Sequence, residues 1–148
     1  MVGLYWEDWE IGKEYISASR TITEADIVNF AGISGDYNPL HIDEEYCKKT
    51  IFGTRIAHGP LVYSIAAGLL FQLHLYDDTL IAFLGFDSLK FTKHVIAGDT
   101  ITAKISVIEK RETSKPDRGV MKRSLKVYNQ NNEMVQDAVQ AFLLKRKT

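Results

Sequence analysis

The chain is 148 residues long, enough for one domain, and 45% of it is hydrophobic, 25% charged, with 10 Gly and 3 Pro. That composition excludes disorder, collagen-like repeats and low-complexity tracts, and places residues 1–148 in a single soluble globular domain. Eighteen Lys+Arg against 19 Asp+Glu leave a net charge of -1, which argues against nucleic acid as a partner, since no basic field draws in a phosphate backbone. One cysteine, Cys47, can close no internal disulfide and forms no Cys-x-x-Cys pair. The N-terminus is acidic and lacks the basic start and apolar run of a signal peptide, so the expected location is the cytoplasm.

Tyr15 to Ile22 reads as the first strand. Thr23 then opens a helix over 23–32, its hydroxyl capping the first turn, with Glu24 and Asp26 at the positive helix end and Ile27, Phe30 and Ala31 at helical spacing. Gly35-Asp36-Tyr37-Asn38-Pro39 supplies turn chemistry, and Asp43-Glu44-Glu45 reads as the acidic first turn of another short helix ending near Lys48-Lys49. From Ile56 to Tyr76 there is no charged residue, which raises the question of a membrane span. His58, Gly59, Pro60, Ser64, Gln72 and His74 interrupt that run, and a helix over Pro60–Leu75, apolar almost all round and therefore surrounded by protein, is the reading taken. The rest is extended. Strands are predicted over Leu80–Phe91, Thr100–Glu109 with Ile101, Ala103, Ile105 and Val107 on one face, Val120–Tyr128 and Met134–Leu144, the last two joined by Asn129-Gln130-Asn131-Asn132. About five antiparallel strands curling around one long apolar helix make an α+β domain.

Asp36 and His41 are the pair able to carry chemistry, because a carboxylate and an imidazole brought together by a tight turn can divide acid and base work on one water molecule. The alternative is that Asp36 and Asn38 only hydrogen-bond the turn backbone and His41 is a satisfied, half-buried histidine. His58-Gly59-Pro60 places a glycine N–H at a helix start, where donors are unpaired and an oxyanion is stabilised; the plainer reading is a strand-to-helix turn. Asp36, His41, Asp43 and His58 are metal-ligating types, but no close histidine pair anchors a site, and no metal is expected. Neither Cys47 nor Ser34 nor Ser64 sits in a recognisable nucleophile motif.

Phe30 to Asp43, FAGISGDYNPLHID, resembles the hydratase motif of the MaoC-like (R)-specific enoyl-CoA hydratases, a branch of the hot-dog fold. Arg55-Ile56-Ala57-His58-Gly59 before the long helix and Ala97-Gly98-Asp99-Thr100 between strands extend the likeness over most of the chain. The resemblance implies reversible hydration of a trans-2-enoyl-CoA to an (R)-3-hydroxyacyl-CoA, with Asp36 and His41 activating water and the Gly59 N–H binding the thioester oxygen. Asn38 would support the site, and Tyr37, His58 and Ser64 are the further candidates for substrate contact. Some members carry a helix serine that supports the dyad; Ala67 stands at that position here and Ser64 lies about one turn earlier. No cofactor is implied beyond the coenzyme A of the substrate. The resemblance also implies a homodimer whose two sheets join, with the acyl pocket at the subunit interface. Two other functions fit a hot-dog chain, an acyl-CoA thioesterase and a non-catalytic acyl-thioester-binding or partner subunit. Arg55, Lys90 and Lys93 are candidates for the CoA phosphates by sign of charge alone.

Overall fold

The computed structural model describes all of residues 1–148. A 3-10 turn at Trp6–Asp8 leads into β1 (Glu14–Thr21), followed by helix α1 (Glu24–Ser34), two single-turn helices α2 (Pro39–Ile42) and α3 (Glu44–Cys47), and the long helix α4 (Gly59–Phe71). Four strands complete the chain: β2 (Leu80–Phe91), β3 (Thr100–Glu112), β4 (Arg118–Tyr128) and β5 (Met134–Lys145). All pairings are antiparallel, in the spatial order β1-β3-β4-β5-β2. This is the α+β hot-dog arrangement expected, one sheet curled around α4.

Local chemistry accounts for the boundaries. Thr23 Oγ1 accepts from the Asp26 N–H at 3.1 Å while Asp26 Oδ2 accepts from the Thr23 N–H at 2.8 Å, a reciprocal cap that opens α1. The helix runs past Gly32 because its stop is Gly35, whose φ of 75° is left-handed and whose N–H returns to the Ala31 carbonyl at 2.9 Å. Helix α4 ends at Phe71, earlier than Leu75: His74 takes a φ of 59°, and the carbonyls of Leu75 and Asp77 are taken by the N–H groups of Leu4 and Gly3. No helix is long and apolar enough to cross a membrane.

The core lies between the sheet and α4. Ile101, Ala103, Ile105 and Val107 of β3 are buried as their alternation predicts, facing Leu61, Val62, Ala66, Leu69 and Leu70 of α4. The expectation that α4 is surrounded does not hold within one chain. Pro60, Ser64, Gly68 and Phe71 form an exposed stripe along it, because a curled sheet covers only one side of a cylinder. Strand β2, at the sheet edge, also leaves Ile81, Phe83, Leu84 and Phe86 exposed and carries three register irregularities against β5.

Candidate active site

The site is built from the segment that joins α1 to α3. Beyond Gly35 the backbone is held by a relay of side-chain bonds: Ser34 Oγ accepts from the Asp36 N–H at 3.1 Å, Asp36 Oδ1 from the Asn38 N–H at 3.2 Å, and Asn38 Oδ1 from the Leu40 N–H at 3.0 Å. Asn38 thereby caps α2, in which Pro39 occupies the first position and His41 the third. That four-residue helix has no place in the sequence reading, yet it is what turns His41 back toward Asp36.

His41 Nε2 and Asp36 Oδ2 are 3.7 Å apart, with the imidazole 11% and the carboxylate 51% exposed. His41 Nδ1 lies 2.7 Å from the Ile56 carbonyl. A carbonyl can only accept, so Nδ1 carries a proton, and in the neutral form of the ring the lone pair of Nε2 faces Asp36. Two acceptors have no hydrogen to share with one another, and at that spacing they are placed to take the two hydrogens of one water molecule.

His58 supports this arrangement from behind. It is buried, stacks on His41 with ring centroids 3.7 Å apart at 25°, packs against Phe30, and its Nε2 donates to the Asp36 carbonyl at 3.0 Å. The ring therefore holds the backbone of one member of the pair and the face of the other. Ile56 N–H donates to the Leu40 carbonyl at 3.0 Å, tying the same two segments together a second time.

From His58 the chain enters α4. Gly59, its first residue, lies against the ring of Phe91: a Cβ there would stand 2.5–2.7 Å from three ring carbons. The Gly59 N–H is one of the helix's leading donors and bonds to no backbone carbonyl. Beside it is a cavity of about 530 Å³ whose wall includes Ile56, Gly59, Val62, Phe91, His94 and Gln136. Asp36 and His41 do not line this cavity; His41 stands against its Ile56 wall, since the carbonyl that orients it belongs to a residue that does line it, and Asp36 stands beside His41.

The other expected residues fall in several places. Tyr37 is exposed and directs its hydroxyl back over Gly32 of α1. Ser64 Oγ donates to the Pro60 carbonyl at 2.8 Å, on the open stripe of α4. Asp36, His41 and His58 bring ligand-type atoms within 4.8 Å of one another, while the Asp43 carboxylate is turned away to cap α3 through the Tyr46 N–H at 2.9 Å. Arg55 is committed to Glu24 and Glu44, Lys93 to Glu133, and Lys90 forms no ion pair. Cys47 is buried with Sγ 3.4 Å from the Pro39 and Leu40 carbonyls; burial and the negative charges of Glu44 and Asp43 push its thiol pKa up, so it buttresses α2 as a thiol. The Ile56 carbonyl and Gln136 are the two contributors that sequence reasoning missed. A backbone carbonyl leaves no mark in a sequence, whereas Gln136 had one: it stands in phase with Ala138 and Phe142 on the apolar face of β5.

Comparison with known proteins gives the family. The family model described as a MaoC like domain matches residues 8–129. A Rhodospirillum rubrum protein named (R)-specific enoyl-CoA hydratase is 40% identical over 103 residues, covering 70% of this chain and 69% of that one. The Klebsiella aerogenes protein named MaoC is 40% identical over 114 residues, 77% of this chain but only 33% of its own length, so the match spans about a third of that relative. Among solved structures, an Archaeoglobus protein described as a monoamine oxidase regulatory protein superposes with a TM-score of 0.94 at 39% identity, covering 100% of this chain and 98% of that one. With the matched region running from the end of the 3-10 turn to the residue after β4, and taking in Asp36, His41 and Gly59, the chain belongs to the MaoC-like dehydratase family.

Proposed function

We propose that the chain is an (R)-specific enoyl-CoA hydratase, adding water reversibly to a trans-2-enoyl-CoA to give an (R)-3-hydroxyacyl-CoA. The observation that carries this reading is the pair of acceptors, His41 Nε2 and Asp36 Oδ2, 3.7 Å apart with the imidazole locked by the Ile56 carbonyl. A water held between them loses a proton to His41 Nε2 as its oxygen bonds to the β-carbon. The π electrons of the double bond move toward the thioester oxygen, where the Gly59 N–H and the start of α4 stabilise the developing charge. The proton returns from the Asp36–His41 pair to the α-carbon, and both groups are restored. Coenzyme A enters only as part of the substrate, and no other cofactor is needed. The exposed stripe of α4 and the apolar edge of β2 support a homodimer with the acyl pocket at its interface.

Crotonyl-CoA tests the reaction. A hydratase removes the enoyl absorbance without freeing thiol, a thioesterase releases thiol, and a binding module does neither. Asp36→Asn and His41→Gln are each expected to lower hydration by about 10²–10⁴-fold, the usual range for a lost acid–base group. Asp36 is half exposed, so the folded state should survive its substitution. Turnover near the parent level in both variants would remove the dyad from the reaction.

A further inference from the structure

Gln136 is not explained by packing. It lies on the inner face of β5, 2% exposed, with Nε2 donating to the Gly59 carbonyl at 2.8 Å. Because that carbonyl can only accept, the amide orientation is determined, and Oε1 is left buried without a partner. A buried amide with one acceptor unfilled costs stability, and a leucine or methionine of similar volume would carry no such cost. Directly opposite in the β2–β5 register is Phe91, whose ring lies across Gly59, so both cross-strand neighbours converge on one helical residue at the cavity wall.

The carbonyl that Gln136 holds belongs to the first peptide of α4, and fixing it fixes the rotation of the first turn. The direction of the Gly59 N–H follows from that rotation. Resting on the hydration reading above, we propose that Gln136 is a positioning residue: its amide ties Gly59 to the sheet so that the Gly59 N–H stays aimed at the thioester oxygen as charge accumulates there. A donor that acts on developing charge is sensitive to small displacements and contributes to the transition state more than to the bound ground state.

The test compares the parent chain with Gln136→Leu and Gln136→Glu, measuring kcat and KM on crotonyl-CoA from pH 6 to 9 together with thermal unfolding. Gln136→Leu is expected to unfold at or above the parent temperature, to keep KM within about twofold and to lose roughly tenfold in kcat, about 1.4 kcal/mol. In Gln136→Glu an ionised carboxylate repels the Gly59 carbonyl, whereas the neutral acid donates to it. Its rate relative to the parent should therefore climb as pH falls, and the ratio cancels the titration of His41, His94 and Lys93 common to both proteins. Three results would overturn the proposal: parent-like kcat in Gln136→Leu, a loss that merely tracks a lower unfolding temperature, or a rate of Gln136→Glu relative to the parent that does not change with pH. If Gln136→Leu does not fold, the Gln136→Glu ratio decides alone. A folded parent chain that does not hydrate crotonyl-CoA would overturn the hydration reading itself, and the role of Gln136 with it.

Discussion

Gly59→Ala is a test of packing at the candidate site that needs no assumption about substrate. The new Cβ would stand 2.5, 2.7 and 2.7 Å from three carbons of the Phe91 ring, where carbon–carbon contact is comfortable at about 3.5–4.0 Å. The ring must therefore retreat by roughly 1 Å. Overpacking costs about 1–3 kcal/mol, and the low end applies here because Phe91 is 53% exposed and sits at the last position of an edge strand. Alanine's better helix propensity returns part of that, at most about 1 kcal/mol and less in a first turn. The balance is a loss of about 0.5 kcal/mol, or roughly 2 °C in Tm for a chain of this size. The diagnostic measurement is a double-mutant cycle by thermal or urea unfolding. In a Phe91→Ala background the clash is gone, so Gly59→Ala should cost nothing or stabilise slightly, giving a coupling of about 1 kcal/mol. Equal costs in both backgrounds would refute the ring as the obstacle. A loss above about 4 kcal/mol would refute the inference that the ring can move.

The cap of α1 gives a pH signature. Asp26 is partly buried, which alone would raise its pKa, but the Thr23 N–H and the Arg20 guanidinium outweigh burial and hold the carboxyl below its usual range. A depressed folded pKa contributes stability that is full above the unfolded value near 3.9 and is lost as pH falls through the folded one. Asp26→Asn should therefore cost about 0.5–1 kcal/mol at pH 7 in urea unfolding, and the gap should close toward pH 3; a gap that stays constant would contradict it. The second prediction concerns the apolar edge. Leu84→Lys places an ammonium at an exposed apolar position of the edge strand β2, and should weaken self-association measured by sedimentation at least about tenfold, roughly 1.4 kcal/mol. A parent chain that is monomeric at micromolar concentration would refute the dimer.

How much of this was legible in the sequence depended on the range of the interaction. Thr23 and Asp26 are three residues apart, and a capping box is local chemistry, so the start of α1 was readable to within one residue. The alternation of Ile101 to Val107 read correctly for the same reason: one strand, one period, one buried face. Helix α2 was not readable, because four residues carry no periodicity and its cap, Asn38, serves equally well in a turn. Nor could the end of α4 be read from its apolar run, although its start could, Pro60 against the observed Gly59. Beyond Phe71 the chain turns at His74, whose φ is 59°, and the carbonyls of Leu75 and Asp77 then go to the N–H groups of Leu4 and Gly3, far away in the chain. The inner face of the sheet held the largest departure from the apolar expectation. Arg123 is 1% exposed with no carboxylate against it, bonded instead to Gln140 and Tyr76 and stacked under Phe142, while Gln140 reaches across to the Tyr63 hydroxyl of α4. Arg123, Gln136 and Gln140 each stand where strand alternation puts a core residue, and composition alone does not say that a polar side chain there will find its partners.

The two readings of Asp36 offered by the sequence, turn residue or half of a proton relay, turn out to use different oxygens. Oδ1 accepts from the Asn38 N–H and makes the turn, while Oδ2 looks toward His41 Nε2 at 3.7 Å. The first bond orients the second oxygen, since a carboxylate pinned at one end can rotate little. The same economy governs His41, whose Nδ1 is tied to the Ile56 carbonyl so that Nε2 is left as the acceptor, and His58, whose ring holds the backbone of Asp36 and the face of His41 at once. Each atom to which the proposed hydration assigns a role is thus presented by a structural bond made elsewhere in the same side chain or by its neighbour. Removing a reactive oxygen or nitrogen should therefore be far less harmful to the fold than removing the bond that aims it, and Asp36→Ala, which deletes both oxygens, should disturb the turn where Asp36→Asn does not.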